Sequence, residues 1–354
     1  MLVGGEGTRL RPLTISTPKQ MLPIVEVPMI ERVLGHLAHH GIDEAVLSIG
    51  YLPDAFLSAY PDGMVKSVRL SYAVEPEPLD TAGAVRFAAD EAGIAETFVV
   101  VNGDVVTDLD LTALVAFHRE RGAEGTIHLH PVSDPSAFGV VPTDDGGRVT
   151  AFIEKPPRDE APTNLINAGT YVLEPSALER IPSGRRVSIE RETFPAMVRD
   201  GQLFAMADDS YWLDAGTPSA YLQAHRDLVD GRRDGPPVPG ARRADGGYWV
   251  RGTPTIAGTV TGACFIADAV EVAEGAVVDR SVLGVGCVIE PGAQLSESVL
   301  LAGARVAANS LVNGSILGPG STVGERCDVR PISILGMGTV VSSGTVLEGE
   351  RVPG

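Results

Sequence analysis

Apolar positions divide this chain into two stretches of different rhythm. Up to about residue 230, short apolar runs alternate with amphipathic segments; beyond residue 250, single apolar residues recur at a short fixed step. In the first stretch, Met1 to Val3 reads as the end of a buried strand. Between Met29 and His39, Ile30, Val33, Leu34, Leu37 and Ala38 fall at helical spacing, with Pro28 suited to a first turn and Gly41 to a stop. Ala45 to Ile49, Val68 to Val74 and the continuous run Thr97 to Val101 read as strands, the last as a parallel strand covered on both faces. Helices are expected over Pro53 to Tyr60, Ala82 to Ala92 and Leu111 to Arg121. Strands alternating with helices of this length predict an α/β domain with a mostly parallel sheet.

The pattern then changes. Gly125 to Pro131, Ala137 to Val141, Arg148 to Ile153, Leu165 to Val172 and Leu203 to Ala207 read as strands, with Asp144 to Gly147 as a hairpin turn. Ser188 to Met197 reads as a helix, to which Pro195 near its centre objects, and a further helix runs from Ser219 to about Val229. Gly231 to Gly247 is rich in Gly, Pro and Arg and has the composition of a linker.

Beyond it, Val260, Ile266, Val272 and Val278 are six apart, as are Leu317, Val323, Val329, Leu335, Val341 and Leu347. Val282, Val288, Leu300, Val306 and Val312 keep the same step, with Gln294 as a polar break. Such a step is the mark of a parallel β-helix, one side of a triangular coil per hexapeptide. Its phase slips near 280 and again near 315, which predicts short insertions or corners there. The expected boundaries are a first domain over 1–230, a linker over 231–250 and a β-helix over 251–354.

Composition narrows the function. The 354 residues carry 46 acidic and 28 basic side chains, a formal charge of −18. That balance repels nucleic acid and anionic membrane, so any phosphate must be bound in a local cationic pocket. No apolar run approaches the ~18 residues of a membrane span and the N-terminus lacks a signal pattern, so a cytoplasmic protein is expected. Cys264, Cys287 and Cys327 have no metal-like spacing and read as small core fillers.

The candidate chemistry starts at Gly4-Gly5-Glu6-Gly7-Thr8-Arg9-Leu10-Arg11-Pro12-Leu13-Thr14, closed by Pro18-Lys19. Three glycines in four positions let backbone approach a ligand and take positive φ, and inward-pointing amides make a concave anion site. Arg9, Arg11 and Lys19 add cations suited to phosphate oxygens. The string is neither the Walker loop nor the dinucleotide fingerprint. Asn102-Gly103-Asp104 follows the run ending at Val101, so Asp104 is expected on the same rim. A carboxylate there suits Mg²⁺, though an ordinary turn Asp is the simpler reading of Asp104 alone.

The eleven-residue string with its Pro-Lys resembles the signature of the sugar-1-phosphate nucleotidyltransferases. Glu154-Lys155-Pro156, Asn167-x-Gly169 and Trp212-x-Asp214-x-Gly216-Thr217-Pro218 match further motifs of that family. The resemblance implies a Rossmann-like α/β catalytic domain with a mostly parallel mixed sheet, followed by a left-handed parallel β-helix of hexapeptide repeats. It implies Arg9 and Lys19 as catalytic cations and Asp104 and Asp214 as ligands of Mg²⁺. Nucleotide contacts are expected from Leu2, Gly4, Gly5, Gly7, Thr8, Asp80, Thr81, Ala82 and Gly103. Sugar-phosphate contacts are expected from Gly139, Glu154, Lys155, Asn167 and Gly169.

Together with the repeat tail, Phe194-Pro195-Ala196-Met197 and Asp209 to Asp214 look most like bacterial mannose-1-phosphate guanylyltransferases. The implied reaction joins GTP and mannose 1-phosphate into GDP-mannose and pyrophosphate. Two departures keep glucose 1-phosphate or a cyclitol phosphate, and dTTP or UTP, open. Gln20 stands where those enzymes have Pro, and Asp80 stands where Leu-Gly-Thr-Ala-Gly has its first Gly. Asp80 could also be a helix N-cap. A repeat acyltransferase would need a histidine in the coils, and none lies beyond His225. A non-catalytic sugar-nucleotide-binding regulator is the rival class, but it would be expected to have lost a cation or a metal carboxylate. The exposed ends of a solenoid predict self-association, giving a homo-oligomer; no nucleic-acid or membrane partner is expected.

Overall fold

A computed structural model describes residues 1–233 and 235–354; Asp234, inside the expected linker, lies outside the described residues. Contacts group the chain into two compact units. One comprises Met1–Glu6 with Ile30–Leu213, the other Gly7–Met29 with Asp214–Gly354.

The first unit is α/β. Its larger sheet runs in the order Ile153–Glu154, Gly139–Val140, Leu165–Leu173, Gly125–Pro131, Leu203–Ala207, and Phe98–Val101 also pairs with Leu165–Leu173. A smaller sheet sets Glu44–Ile49 parallel to Val68–Val74, with Met64–Val65 antiparallel beyond. The expected strand at Met1 to Val3 is reduced to one bridging residue, Leu2, parallel to both Ser48 and Asn102. The Leu2 N–H donates to Val101 O at 2.9 Å and the Val3 N–H to Ser48 O at 3.0 Å, so this short end ties the two sheets together.

Strand direction departs from expectation on one side only, since Leu2 bridges parallel to Asn102 at the end of Phe98–Val101. Phe98–Val101 is antiparallel to Leu165–Leu173, which is also antiparallel to Gly125–Pro131. A continuous apolar run reports burial on both faces, which antiparallel neighbours supply equally well. The core here is Ile127, Leu129, Tyr171, Leu173, Phe194, Met197 and Leu203 with their neighbours.

The helices follow local chemistry. Leu111–Arg121 starts at Asp110, whose carboxylate accepts the Ala113 N–H at 2.9 Å, and ends at Gly122 in the left-handed region (φ 56°). Pro28 does not open a helix; it closes a hairpin strand, Val27–Pro28, one residue before Met29–His39 begins. The single helix expected over Ser188 to Met197 is two pieces, a π-helical turn Ile189–Thr193 and an α-helix Phe194–Arg199. The break answers the objection of Pro195, which sits in a first turn where its missing N–H is not required. The return strand expected over Arg148 to Ile153 is broken up: Val149 bridges Thr143 across the hairpin, Arg148 bridges Phe204, and only Ile153–Glu154 forms a named strand.

In the second unit, Gly7–Met29 holds two short 3₁₀ turns, Thr8–Leu10 and Lys19–Met21, and a hairpin pairing Pro23–Ile24 with Val27–Pro28. Helix Pro218–Asp230 is capped by the Thr217 hydroxyl and ends at Gly231 (φ 79°). Inside the linker-like stretch, Arg242–Arg243 pairs with Trp249–Val250, the first strand of a parallel solenoid built from an eight-stranded and two six-stranded sheets.

The solenoid corrects the phase read from the hexapeptides. Inward positions pair as Ile266, Leu283, Leu300 and Leu317 on one side and Val278, Leu295 and Val312 on another. Leu295 therefore occupies the inward site and is 1% exposed, while Gln294 faces outward and breaks nothing. A full turn is 17 residues in the middle coils, as the Ser281–Ser298 and Ser298–Ser315 bonds show. The phase slips are thus corners one residue short rather than insertions. Three sides of six, six and five carry a strict six-step reading off by one each turn.

Cys264 tops a ladder on these corners. Its sulfur accepts the Ser281 N–H, the Ser281 hydroxyl accepts the Ser298 N–H, and the Ser298 hydroxyl accepts the Ser315 N–H. Buried backbone donors at the turns are satisfied by small side chains from the coil before. All three cysteines are free and buried, and burial pushes the Cys264 thiol up to about 11 and Cys287 up to about 12. Among the described residues no helix is long and apolar enough to cross a membrane.

Candidate active site

In the first unit, strand ends build a cavity of about 240 Å³ lined by Leu2, Gly4, Gly5, Gly50, Glu75, Pro78, Asp80, Thr81, Ala84 and Arg186. Gly4 is there for space, since a Cβ on it would lie 3.0 Å from Gly50 N and 3.1 Å from Glu75 Oε1. Gly5 has open space around it. Gly50 and Glu75 follow the parallel strands Glu44–Ile49 and Val68–Val74, whose carboxyl ends are where ligands bind such sheets. That rule could have found both residues in the sequence. The Glu75 carboxylate is oriented on one side by the Ser48 hydroxyl (3.0 Å) and on the other by the Leu79 N–H (3.1 Å).

The wall at Asp80 and Thr81 is held from far along the chain. Val187 O accepts the N–H groups of Ala82 (2.9 Å) and Gly83 (3.2 Å), which would otherwise be unsatisfied at the start of helix Asp80–Ala92. A Cβ on Gly83 would come within 2.6 Å of Arg185 O, so only glycine allows this approach. The Thr81 hydroxyl donates to Glu190 Oε2 (2.8 Å) and accepts the Ile189 N–H (2.8 Å). The π-helical turn at 189–193 is thus the outer support of this wall, and π turns concentrate at functional sites.

Asp80 is not the N-cap. Leu79 holds that position, and Asp80 is the first helical residue, at φ 61°. Its Oδ1 accepts the Thr81 N–H at 2.9 Å and its Oδ2 lies 3.6 Å from Arg186 Nε. No local pattern in the sequence pointed to Arg186.

Other expected residues stand as follows. Ala82 is fully buried. Gly103 donates its N–H to Leu2 O at 3.0 Å, so Asp104, half-buried in the next turn, leaves the sheet on the same edge as Gly4. Gly139 pairs with Glu154 across two antiparallel strands, and a Cβ on Gly139 would meet the Phe152 ring at 2.7 Å and Glu154 Oε2 at 3.1 Å. Lys155 (φ 52°) places Nζ 3.5 Å from Glu154 Oε1. Asn167 and Gly169 sit in a bulge of strand Leu165–Leu173. There the Asn167 amide donates to the Tyr171 hydroxyl and its Oδ1 accepts the Gly169 N–H. Gly169 (φ 77°) could bear no Cβ, which would fall 2.5 Å from Asn102 Nδ2. Trp212, not singled out as a contact, donates its indole N–H to Ala168 O (2.8 Å) and packs edge-on to Phe138.

The second unit holds Arg9 and Lys19. Of the three loop glycines only Gly7 adopts positive φ (62°), turning the chain into Thr8–Leu10. Arg9 is 59% exposed, and its guanidinium lies 4.0 Å from Asp214 Oδ2. The other oxygen, Asp214 Oδ1, accepts the Gly216 N–H at 2.8 Å, so the turn role and an outward-facing oxygen coexist in one side chain. Lys19 opens the second 3₁₀ turn and packs against Gly7, whose added Cβ would lie 3.0 Å from Lys19 Cβ. Among the described residues no three His, Cys, Asp or Glu side chains gather as a metal cluster. Aspartate oxygens such as those of Asp104 and Asp214 nevertheless suit a hard divalent ion that completes its shell with water and substrate phosphate.

The nucleotidyl transferase family model matches residues 1–231, and a second model, GMPPB C-terminal domain, matches 260–353. A mannose-1-phosphate guanylyltransferase of Mycobacterium tuberculosis is 40% identical over 87% of this chain and 80% of its own length. Mannose-1-phosphate guanylyltransferase 1 of Arabidopsis thaliana is 36% identical over 97% and 91%. Among solved structures, HddC from Yersinia pseudotuberculosis in complex with GMP-PN is 28% identical at a TM-score of 0.56, covering 64% of this chain and 96% of that one.

Proposed function

The chain belongs to the nucleotidyl transferase family, and from that premise we propose that it joins GTP to mannose 1-phosphate, yielding GDP-mannose and pyrophosphate. The observation that carries this reading is the near full-length match to mannose-1-phosphate guanylyltransferases. An oxygen of the mannose phosphate attacks the α-phosphorus of GTP. The new O–P bond forms as the bond to the α,β-bridging oxygen breaks, and that electron pair leaves with pyrophosphate. The attacking phosphate is already an anion, so no protein base is needed. The task of the protein is to hold two polyanions in line and offset the charge that develops.

In this reading Arg9 draws charge toward the leaving pyrophosphate and Lys19 bridges the attacking and α-phosphates. Glu154 accepts sugar hydroxyls, and Lys155 takes the sugar phosphate. The cavity beside Gly4 and Gly5 receives the nucleoside, with Leu2, Thr81 and Pro78 along its walls. Glu75, an acceptor only when ionised, suits a base edge that offers adjacent N–H donors, as guanine does. Arg186 offsets the charge that Asp80 brings to the same wall. Members of this family use a divalent metal. Mg²⁺ is the ion we propose, held by Asp104 and Asp214, and when bound it neutralises phosphate charge. We further propose self-association through the solenoid, whose outer surface exposes Leu311, Val340 and Val346.

Pyrophosphate release from a panel of NTPs crossed with sugar 1-phosphates, with and without Mg²⁺, tests the assignment. GTP with mannose 1-phosphate should be the fastest pair and should depend on the metal. Faster turnover of another pair would reassign the substrates, and no release from any pair would return the chain to a binding role.

A further inference from the structure

Segment Gly7–Met29, which carries Arg9 and Lys19, groups by its contacts with the C-terminal part of the chain. Three attachments tie it to the solenoid. Arg351, in the last coil, directs its guanidinium at two backbone carbonyls, Arg11 O at 3.3 Å and Thr8 O at 3.5 Å, which flank Arg9 and Leu10. Pro12 lies against Gly336, where an added Cβ would come within 3.3 Å of the proline ring. At the far end of the segment, Glu26 Oε2 pairs with Arg251 Nη1 at 3.1 Å. Glu26 reaches it from a hairpin turn whose two central residues, Val25 and Glu26, both have positive φ (45° and 64°). A β-branched residue seldom adopts that conformation, and here Val25 is fully buried. The strain is held in place by tertiary contacts, among them the Val25 N–H donating to His225 Nδ1 (3.2 Å) and the Tyr221 hydroxyl donating to Pro23 O.

The solenoid face formed by the sheet that runs from Trp249 to Val352 is covered. Its outward residues Phe265, Val282, Val299, Ile316 and Ile334 are buried along with the inward ones. Elsewhere on the coils the outward residues Leu311, Val340 and Val346 are exposed.

We propose that the solenoid is the rigid bed of the cationic segment, and that Arg351 is a positioning residue that sets the backbone carrying Arg9. The inference rests on the proposed transferase reading for the role of Arg9, but not for the attachment itself. In the full-length protein, Arg351→Ala should lower kcat roughly ten- to a hundredfold, since a misplacement of about 1 Å can cost up to about a hundredfold. KM for GTP and for mannose 1-phosphate should stay within about twofold. Hydrogen exchange at the Leu10, Arg11 and Leu13 amides should speed up while the Val282–Leu317 coils keep their protection. A kcat within twofold of the parent, unchanged exchange at residues 10–13, or protection lost throughout the solenoid would each overturn the proposal. If the parent protein turns over no substrate pair, the transferase reading fails, and the exchange measurement still decides whether Arg351 holds the segment.

Discussion

The α/β sheet and the solenoid satisfy backbone hydrogen bonds over different sequence distances. Strand Leu165–Leu173 meets Phe98–Val101, Gly125–Pro131 and Gly139–Val140, partners that the chain must bring back from tens of residues away. In the middle coils each strand meets its equivalent one 17-residue turn on, and the corners at Ser298 and Ser315 are each closed by a serine hydroxyl from the coil before. Regularity leaves the solenoid interior uniform and buried. Irregularity leaves the sheet with strand ends, bulges and loops at which Glu75, Asp104, Glu154 and Asn167 collect. The two regions should therefore answer to different measurements, stability for the coils and turnover for the rims.

Substitutions can sharpen or break that division. The largest effect is expected from Leu300→Ala, a fully buried residue stacked between Leu283 and Leu317. It should cost about 2–5 kcal/mol of stability in urea unfolding and leave both KM values alone. A shifted KM with an unchanged urea midpoint would break the division from the solenoid side.

Arg9→Ala and Lys19→Ala should do the reverse. Each should lower kcat by about 10²–10³, roughly 3–4 kcal/mol of barrier, the scale of a lost electrostatic contact to a transition state. Arg9 is exposed, so its melting temperature should not move. Parent-like turnover in either variant would remove the cations from the chemistry.

Gly83→Ala tests a residue on the boundary of the two classes. Its Cβ would be 2.6 Å from Arg185 O, an overpacking cost of about 1–3 kcal/mol, and it displaces the wall that carries Thr81. Stability and the KM for GTP should worsen together; a loss confined to stability would detach this wall from nucleotide binding. Asp80→Gly is the smallest change. It removes a carboxylate beside a polyanion site and should lower the KM for GTP about two- to fivefold, the range of a weak exposed ion pair. A raised KM would instead make Asp80 a direct contact.

Much of this was visible in the order of residues. Local signals were sufficient wherever a residue acts on its neighbours in the chain. Asp110 and Gly122 bracket their helix, the six-residue apolar step announces a solenoid, and Gly4 to Thr14 with Lys19 carries a family signature that the comparisons bear out. Two readings failed for the same reason. The one-residue corners shifted Leu295 into the site assigned to Gln294, and antiparallel pairing of Phe98–Val101 left no trace in its apolar run. Period and burial are properties of one segment, whereas phase and direction belong to a pair.

The sequence by itself determined the two architectures and the cationic loop, because each is written in the pattern of neighbouring residues. Only the tertiary structure decided that Val187 closes the helix at Asp80 and that Arg186 joins Asp80 at the cavity. It alone decided, too, that Arg351 reaches back to the carbonyls of Thr8 and Arg11. Those contacts join residues about 100 or more positions apart, and their free energy exists only once packing has brought them together.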